Sequence, residues 1–500
     1  MQKSGKLELT WVGKYEEKEI EPRILVENPE LSYGDQDTGN MLIHGDNLIA
    51  LKALEQDYAG KIKCIYIDPP YNTGNAFDKF DDGIEHSIWL NLMFKRVQIL
   101  YSLLAYDGVF FCNLDEIEHA YMKVMCDQIF GRENFIGDII WKKRKGGGND
   151  SRFIALDHDY ILVYVKNSSK DTHSKQWLIS QSESYQKRYK EIEQDGRRFY
   201  WDTLSRDGLQ NPIPVEIVCP DGSILSLNSQ KSKETIDQGL ANGTIRFTKT
   251  KNGWTLHHKV YLKGKQVMRS ILDDVGTNKT AGDEMLALFG NAKAFPYPKP
   301  ENLIKKLLEL NTSEGDLVLD SFLGSGTTAA VAHKMGRRWI GIEMGLHAYT
   351  HCKERMDKVV DGEQGGISKA VNWKGGGGYK FYELAPSLLV PNPKIPSIKQ
   401  INPEYTFEQL CEAICKIEGF KYKPESNMHG RSSEKRFIHI AKDFVNGEYV
   451  NSILSTLADD ESVLIYGTKI QSGLRLPSNV EVKKIPKDLL DKCTFESEVR

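Results

Sequence analysis

A strand that must end at two prolines constrains this chain more than any other feature of its sequence. The apolar residues 64–67 are typical of a buried strand, and Asp68-Pro69-Pro70-Tyr71 follows them directly. Because consecutive prolines can continue neither a sheet ladder nor the interior of a helix, the backbone must leave the sheet at this point. Asp68 and Tyr71 are therefore predicted at the carboxyl end of a strand, which is where open α/β sheets bind ligands.

The residue types in this turn suit the activation of an aromatic amino group, such as the N6 group of adenine. Such a nitrogen becomes nucleophilic when acceptors hold its hydrogens and draw it towards tetrahedral geometry. The Asp68 carboxylate and a backbone carbonyl beside the prolines would supply two acceptors, and the ring of Tyr71 offers a face for a stacked base. The alternative interpretation is an ordinary junction between a strand and a turn.

Strands and helices alternate on both sides of this turn. Residues 41–47 form a strand and a glycine turn, and the helix that follows is capped by Asp46 or Asn47. Three further elements follow the turn, namely a helix at 86–105, a strand at 109–114 and a helix at 115–130. This succession predicts the α/β fold class with a doubly wound parallel sheet.

A second strand-turn-helix unit carries a glycine-rich turn. Its strand, 317–320, is followed by Gly324-Ser325-Gly326 and by a helix of small residues at 329–332. The glycines permit a ligand to approach the backbone closely, and the start of the helix presents free N–H groups. The next strand ends at Glu343, where folds of this kind place an acid that binds ribose hydroxyls. The unit therefore predicts a nucleotide-type cofactor site.

Positive charge is concentrated in and near an insert that lacks this alternation. Residues 171–270 hold 16 Lys and Arg against 11 Asp and Glu, a surplus of 5, and their short strand-like pieces are separated by Asp-Gly and Asn-Gly turns. The basic, glycine-containing run 142–152 is either a solvated loop or a clamp for phosphates. The candidate DNA-contacting residues are Lys142, Lys143, Arg144, Lys145, Arg152, Arg197 and Arg198.

Composition excludes several other classes of protein. The 500 residues carry a net charge of −3, so any basic footprint for nucleic acid must be local. The chain has neither an apolar leader nor an apolar stretch of membrane-spanning length, which favours a cytoplasmic protein without a membrane partner. The eight cysteines lack metal-ligand spacing, so we expect neither a metal site nor, in a reducing compartment, disulfides.

The Asp-Pro-Pro-Tyr turn and the later glycine turn, taken together, resemble the β group of amino-methylating DNA methyltransferases. The match is closer still to modification subunits of type III restriction–modification systems, and it covers residues 40–385. It rests on 68–74, Trp89, Asp115-Glu116, Phe130-Gly131, Trp141, 295–300, 320–328 and 376–384. The resemblance implies a Rossmann-like methyltransferase domain with permuted motif order, in which the catalytic half precedes the cofactor half.

The same resemblance implies a division of the chain into domains. In order, these are an N-terminal extension at 1–40, the catalytic half of the methyltransferase domain at 41–170, an inserted target-recognition domain at 171–280, and the cofactor half at 281–385. The proline-rich segment 386–404 is predicted to be a linker. Residues 405–500 are predicted to form a small C-terminal α/β domain, and we identify no chemistry in it.

The resemblance also implies S-adenosylmethionine as the cofactor and a role for individual residues. Asp68 and the Pro69 carbonyl would accept the N6 hydrogens of an adenine flipped out of duplex DNA, and Tyr71 would stack on that base. Methyl transfer would be a direct in-line attack, and Asp at the first position of the turn favours adenine N6 over cytosine N4. The implied catalytic residues are Asp68, Pro69, Pro70 and Tyr71. The implied cofactor residues are Asp46, Asn47, Asp68, Lys299, Pro300, Asp320, Phe322, Gly324, Ser325, Gly326, Thr327, Thr328 and Glu343.

Several alternatives stay open at the level of sequence. The substrate is alternatively cytosine N4, an RNA or a protein amide, and a non-catalytic DNA-recognition module is a further interpretation. The chain has no Gly-x-x-x-x-Gly-Lys-Ser/Thr phosphate loop and no metal-nuclease constellation, so DNA cleavage would need a separate restriction subunit. A stand-alone epigenetic enzyme is equally compatible with the motifs. The expected partners are duplex DNA, a second copy of the chain in a homodimer, and such a restriction subunit.

Overall fold

The computed structural model describes residues 8–16, 20–21, 23–71, 86–146, 153–169, 177–181, 183–206, 208–251, 253–433 and 435–490. The chain divides into two compact units. The larger unit comprises Met1–Lys175 and Arg269–Arg500, and the smaller unit comprises Gln176–Met268. Among the described residues, no helix combines the length and the apolar character needed to cross a membrane.

The elements follow one another along the chain in four groups. The first group contains β1 (Leu25–Glu27), β2 (Tyr33–Gly34), β3 (Met41–His44), α1 (Asn47–Tyr58), β4 (Ile62–Ile67), α2 (His86–Leu103), β5 (Leu104–Leu114), α3 (His119–Phe130), a 3₁₀ turn (Arg132–Asn134), β6 (Phe135–Lys142) and β7 (His158–Val165). The second group contains β8 (Leu178–Ser180), α4 (Glu183–Gln186), β9 (Glu191–Ile192), β10 (Arg198–Thr203), β11 (Ile213–Val218), β12 (Ile224–Ser229), α5 (Lys233–Ala241), β13 (Ile245–Thr250), β14 (Gly253–Tyr261) and β15 (Lys265–Val267). The third group contains β16 (Ile271–Leu272), α6 (Asn278–Phe289), α7 (Glu301–Asn311), β17 (Leu317–Asp320), α8 (Thr327–Lys334), β18 (Arg338–Glu343), a π-helical turn (Ala348–Lys353), α9 (Glu354–Val360) and β19 (Gly378–Leu384). The fourth group contains β20 (Leu389–Pro391), β21 (Lys399–Ile401), α10 (Phe407–Ile417), β22 (Lys421–Glu425), β23 (Met428–Ser433), β24 (Arg436–Ala441), α11 (Gly447–Leu454), β25 (Ser462–Gly467), β26 (Val480–Lys484) and α12 (Lys487–Leu490).

Eleven described strands of the larger unit form one sheet, in the order β1-β19-β3-β18-β17-β4-β5-β7-β6-β16, with β2 beside β19. The central strands from β19 to β5 are parallel to one another. By contrast, β7 is antiparallel to both of its neighbours, β5 and β6, and β1 is antiparallel to β19. The α/β class is confirmed. The predicted parallel arrangement holds for the six central strands from β19 to β5, whereas β1 and β7 pair antiparallel with their neighbours.

The connection between β6 and β7 spans 15 residues, which is long enough for a crossover, but its sequence does not favour a crossover helix. A parallel neighbour needs a crossover of a dozen or more residues, which is usually a helix. The segment between β6 and β7 is basic and rich in glycine, and it has no helical periodicity. The chain therefore returns as an antiparallel strand, and Trp141 and Asp159 lie opposite each other in the resulting pair.

The helices that cover one face of the sheet are held by a continuous apolar core. Ile65 and Ile67 of β4 share this core with Trp89, Met93 and Val97 of α2, and all five side chains are buried. Helix α1 begins at the predicted position, because the Asp46 carboxylate accepts hydrogen bonds from the N–H groups of Leu48 (2.8 Å) and Ile49 (3.2 Å). This packing brings the carboxyl ends of β3, β4, β17 and β18 to one edge of the sheet.

The smaller unit has its own sheet and its own core. Strands β13, β14, β10 and β9 form an antiparallel sheet, and Ile245 and Leu256 pack with the hairpin β11–β12 and with Ile236 of α5. The unit is narrower than the range 171–280 inferred from the sequence, because Ile271 and Leu272 pair with β6 in the main sheet.

The C-terminal region contains a five-stranded sheet in the order β22-β23-β24-β25-β26. Strands β24 and β25 consist largely of apolar, buried residues, whereas the sequences of β22 and β23 are mostly polar. The segment 386–404 contains the hairpin β20–β21, and Leu388 and Leu389 are buried in a core with Ile414 and Phe420. Ile24, from the N-terminal region, belongs to the same core. The segment predicted to be a linker is therefore packed against the C-terminal sheet.

Candidate active site

A cavity of about 1060 Å³ lies at the carboxyl ends of β3, β4, β17 and β18, within the larger unit. Of the residues predicted from the sequence, the cavity is lined by Asp46, Asn47, Asp68, Pro69, Pro70, Tyr71, Lys299, Asp320, Phe322, Gly324, Ser325, Thr327, Thr328 and Glu343. Pro300 and Gly326 lie outside the lining and are the N-cap residues of α7 and α8. The structure therefore brings the two predicted motifs into one cavity, although 256 residues separate Asp68 from Gly324.

Asp68 is the best-connected side chain of the Asp-Pro-Pro-Tyr turn. Its Oδ2 accepts a hydrogen bond from Lys299 Nζ at 2.5 Å, and its Oδ1 accepts one from the Tyr71 hydroxyl at 2.8 Å. Asn113 Nδ2 lies 3.4 Å from the same Oδ1. A carboxylate offers about four acceptor sites, so Asp68 can accept a further hydrogen from a substrate while these contacts persist.

Tyr71 is held by residues that the sequence did not single out. Its hydroxyl contacts Asp159 Oδ2 at 3.3 Å and accepts a hydrogen bond from Asn113 Nδ2. Asp159 is 2% exposed and its Oδ1 accepts from Lys143 Nζ at 2.6 Å. Burial, followed by the charge of Asp68, raises the pKa of Tyr71 well above its ordinary value, so the hydroxyl stays protonated. Asn113 lies on β5, which pairs with β4, and Asp159 lies on β7, which pairs with β5. Their position beside Tyr71 therefore depends on the order of the strands in the sheet.

The prolines of the turn are oriented by a buried tryptophan. The indole Nε1 of Trp89 donates a hydrogen bond of 2.7 Å to the carbonyl of Pro70. Among the described residues, none donates to the carbonyl of Pro69, and Pro69 lines the cavity. Within that part of the chain, the Pro69 carbonyl keeps its capacity to accept a hydrogen bond.

Asp46 and Asn47 connect the start of α1 to the glycine-rich turn. Asn47 Nδ2 donates to the Ser321 carbonyl at 2.7 Å, and Asn47 Oδ1 accepts from Arg96 Nε. Arg96 also lies 3.2 Å from Asp46 Oδ2. Because Asp46 caps the helix with its other oxygen, both residues are fixed before any ligand binds.

The glycine turn adopts backbone conformations that other residues disfavour. Gly324 and Gly326 have φ angles of 59° and 80°, and a Cβ on Gly326 would lie 3.3 Å from the Cα of Cys352. Glu343 supports the turn, because its Oε2 accepts from the N–H of Gly324 at 2.8 Å and its Oε1 contacts His347 Nε2 at 2.8 Å. Glu343 therefore joins the turn to the end of β18 and lines the cavity beside it.

Asp320 lies beneath the same turn and is 3% exposed. Burial raises its pKa to about 7, although hydrogen bonds from the Thr328 hydroxyl (2.6 Å) and the Phe322 N–H (2.9 Å) oppose that rise. Asp68 and Glu343 raise it further through their charges. The floor of the cavity therefore holds several carboxyl groups close together, which favours a ligand that carries positive charge.

A buried ionic cluster behind the glycine turn was not predicted from the sequence. Glu301 accepts from Arg355 Nη2 (2.8 Å) and from Lys334 Nζ (2.8 Å), and all three side chains are at most 3% exposed. Arg355 Nη1 also donates to Thr327 Oγ1 at 2.9 Å, which links the cluster to the lining of the cavity. Charged residues on separate helices carry no periodic signal, so only the fold could reveal this support.

The predicted basic contacts do not all fall in one place. Lys143 and Arg144 line the cavity, whereas Lys142 and Lys145 are exposed beside them. Arg152 lies outside the described residues, and Arg197 and Arg198 belong to the smaller unit. Arg197 pairs with Asp195 at 2.6 Å and lies over the ring of Tyr261. Arg198 donates to the carbonyls of Tyr189 and Gln186, which is a structural use of its guanidinium.

The sequence led us to expect neither disulfides nor a metal site. Seven cysteines in the described part of the chain are buried and free. Burial raises the pKa of the Cys352 thiol well above its ordinary value, so it is not poised as a nucleophile. Across the described residues, no group of three or more His, Cys, Asp or Glu side chains has the arrangement of a metal site.

A family model described as DNA methylase (N6_N4_Mtase) matches residues 62–354, which is more than half of the chain. The probable type III restriction-modification enzyme HindVI Mod subunit of Haemophilus influenzae is 34% identical over 435 residues, covering 75% of this chain and 58% of that protein. The type III StyLTI Mod subunit of Salmonella typhimurium is 30% identical over 366 residues, covering 64% of this chain and 55% of that protein. The chain thus spans a little over half the length of these two relatives.

Among solved structures, the chain matches a DNA modification methylase of Thermus thermophilus, TTHA0409, determined in complex with S-adenosyl-L-methionine. The TM-score is 0.35 and the identity 15%, and the match covers 68% of this chain and 99% of that one. The family match and the two Mod subunits confirm the resemblance inferred from the sequence. The chain belongs to the DNA methylase family.

Proposed function

We propose that the protein transfers a methyl group from S-adenosylmethionine to the N6 amino group of adenine in duplex DNA. One observation carries this proposal: the Asp68 turn and the Gly324 turn line a single cavity of about 1060 Å³. A donor bound at the glycine turn and an amino group bound at Asp68 would therefore lie side by side. Family membership supports the reaction type, and the two Mod-subunit relatives support DNA as the substrate.

The residues of the cavity fit S-adenosylmethionine. The volume is at the upper end of the range for small-molecule sites, about 300–1,000 Å³, which leaves room for a base beside the cofactor. The glycine turn permits a close approach to its backbone, Phe322 offers an apolar face, and Glu343 is the acid at the end of the next strand. When bound, the cofactor supplies a sulfonium methyl group that a nucleophilic nitrogen can accept.

The protein's own part in the reaction is to hold the amino group. One N6 hydrogen would bond to Asp68 and the other to the Pro69 carbonyl, which Trp89 keeps in position through its bond to Pro70. Two fixed acceptors reduce the delocalisation of the nitrogen lone pair into the ring and direct that lone pair at the methyl group. Preorganised geometry of this kind is the main catalytic contribution, because it removes the entropic cost of bringing the reactants together.

The base would stack on Tyr71, whose edge is already fixed by three hydrogen-bonding neighbours. Asp68, Asn113 and Asp159 all contact its hydroxyl, so the ring keeps one orientation without substrate. Lys299 Nζ, which also contacts Asp68, lies 5.2 Å from the centre of this ring. A base flipped out of the duplex would therefore meet a rigid aromatic platform beside two acceptors.

The roles of the wider chain belong to the same proposal. The compact unit Gln176–Met268 would recognise the target sequence, and its position between the two motifs supports a permuted methyltransferase domain. By analogy with the type III relatives, the protein would be the modification subunit of a restriction–modification system, with a separate restriction subunit and a second copy of itself as partners. A stand-alone adenine methyltransferase is the remaining candidate.

The test is transfer of labelled methyl groups from S-adenosylmethionine to defined substrates. We expect label in the N6 position of adenine in duplex DNA, and we expect Asp68→Ala to abolish transfer while S-adenosylhomocysteine still binds. Asp460→Ala, which removes an exposed carboxylate of the C-terminal region that pairs with Lys435, is the matched control for transfer chemistry. Label in cytosine N4, RNA or protein alone would overturn the assignment, as would full activity of Asp68→Ala.

A further inference from the structure

Two carboxylates in the lining of the cavity compete for one hydrogen. The Tyr71 hydroxyl lies 2.8 Å from Asp68 Oδ1 and 3.3 Å from Asp159 Oδ2. Its oxygen also accepts a hydrogen bond from Asn113 Nδ2. Because a phenolic hydroxyl has a single hydrogen to donate, it can form a good hydrogen bond to one of the two carboxylates at a time. The shorter distance directs that hydrogen to Asp68 in this structure.

Each of these carboxylates is also paired with a lysine. Lys299 Nζ lies 2.5 Å from Asp68 Oδ2, and Lys143 Nζ lies 2.6 Å from Asp159 Oδ1. In both pairs the lysine contacts one oxygen of the carboxylate and the Tyr71 hydroxyl contacts the other. The two carboxylates therefore present one oxygen each to the same hydroxyl, and a new partner for Asp68 can change which of them receives the hydrogen.

The hydrogen bond from Tyr71 weakens Asp68 as an acceptor for substrate. A hydrogen bond donated to a carboxylate stabilises its charged form and lowers its basicity. A substrate amino group would therefore bond more strongly to Asp68 once the Tyr71 hydrogen points elsewhere. Burial, followed by the charge of Asp68, holds the pKa of Tyr71 well above its ordinary value. The hydroxyl therefore keeps its hydrogen and can only redirect it.

We propose that Asp159 is a positioning residue, which accepts the Tyr71 hydrogen when a substrate amino group bonds to Asp68. This inference rests on the proposed function and adds to it a residue that neither motif contains. The step is a rotation of the hydroxyl about its C–O bond, so no covalent bond forms or breaks and the ring keeps its place. Asp159 suits this role because it is 2% exposed, which keeps bulk water from its oxygens, and because Lys143 fixes its carboxylate.

Asp159→Asn tests this role without changing the shape of the side chain. The Lys143 ammonium requires an acceptor, so the amide oxygen of the variant should face Lys143 and its NH₂ group should face Tyr71. Because an NH₂ group accepts no hydrogen, the Tyr71 hydrogen would stay on Asp68. With saturating cofactor and long, unmethylated duplex DNA copied in vitro, we expect the single-turnover rate of methyl transfer to fall about tenfold or more. The dissociation constants of S-adenosylhomocysteine and of the DNA should stay within about twofold of the wild type.

A second substitution distinguishes positioning through Tyr71 from a general structural role. Tyr71→Phe keeps the stacking ring but has no hydroxyl, so in that background Asp159→Asn should change the transfer rate by less than about twofold. A structural defect would lower the rate by the same factor in both backgrounds. Asp138→Asn is the matched control, because this carboxylate of β6 pairs with His119 at 3.1 Å and lies outside the lining of the cavity. It should transfer methyl groups at the wild-type rate.

The outcomes separate this inference from the function on which it rests. If Asp159→Asn fails to fold, Lys143→Met combined with Asp159→Leu removes both charges and the acceptor, a replacement that buried ion pairs often tolerate, and the same loss of rate is expected. If the wild type labels no DNA, the proposed function fails and this inference fails with it. If the wild type labels DNA and Asp159→Asn labels it equally fast, this inference alone is wrong. It is wrong also if the loss of rate persists unchanged in the Tyr71→Phe background.

Discussion

Removal of the Arg355 guanidinium tests how much the buried ionic cluster stabilises the cofactor side of the cavity. Arg355→Met keeps a long apolar side chain but leaves Glu301 with Lys334 as its remaining buried cation. Burial by itself raises the pKa of Glu301, and the charges of Arg355 and Lys334 lower it to a net value below the ordinary one. The variant therefore loses the largest of the interactions that keep Glu301 ionised.

The expected cost is set by the desolvation of that carboxylate. Removing one partner of a buried ion pair costs about 3–5 kcal/mol, because the other charge stays buried without compensation. Lys334 and the N–H of Ile367 still contact Glu301, so the lower end, about 3 kcal/mol, is expected. That loss is a large fraction of the roughly 5–15 kcal/mol by which proteins are folded. The glycine turn should loosen as well, since Arg355 no longer holds Thr327.

Urea unfolding followed by tryptophan fluorescence and circular dichroism measures this loss. Lys305→Met is the matched control, because it makes the same kind of change in the partly exposed pair Lys305–Glu309 of one helix and should cost at most about 0.5 kcal/mol. In the background of Glu301→Gln, Arg355→Met should cost at least about 1 kcal/mol less than in the wild type. The reasoning is refuted if Arg355→Met unfolds like the control, or if the two changes add without coupling.

Two further predictions concern pH and DNA binding. Burial, and then the charge of Glu301, raise the pKa of Glu284 from 4.5 to about 8. Between these two pKa values the folded state retains a proton that the unfolded state has released. The free energy of unfolding therefore falls as the pH rises from 4.5 to about 8. Glu284→Gln should remove that fall in pH-dependent urea unfolding, and an unchanged slope would contradict the assignment. Lys142→Ala and Arg144→Ala should each weaken binding to all duplex sequences alike and reduce the salt slope by about 1, whereas Lys423→Ala should do neither. Equal salt slopes for all variants would show that the basic segment does not contact phosphates.

Local chemistry explains which parts of the fold were predictable. The ends of β4 and β17 follow from the residues that come next, two prolines in one case and a glycine turn in the other, because these residues cannot continue a strand. The start of helix α1 is also predictable, because Asp46 is a residue type that favours the N-cap position. The antiparallel direction of β7 could not be predicted, because it depends on the path of the chain between β6 and β7. Strands β22 and β23 could not be predicted either, because their sequences lack the alternation of apolar residues that is typical of a strand.

The candidate site also has one part that the sequence predicts and another that depends on the tertiary structure. By itself the sequence determined the chemistry of the two motifs, since a carboxylate beside prolines and a glycine turn before a helix have the same properties in any α/β context. Only the tertiary structure decided what surrounds them: Lys299 reaches Asp68 across 231 residues, and Arg355, Lys334 and Glu301 meet from three helices. Asn113 comes into contact with the Tyr71 hydroxyl in the same way. Hydrogen bonds and ion pairs between distant residues depend on packing, which leaves no periodic trace in the sequence.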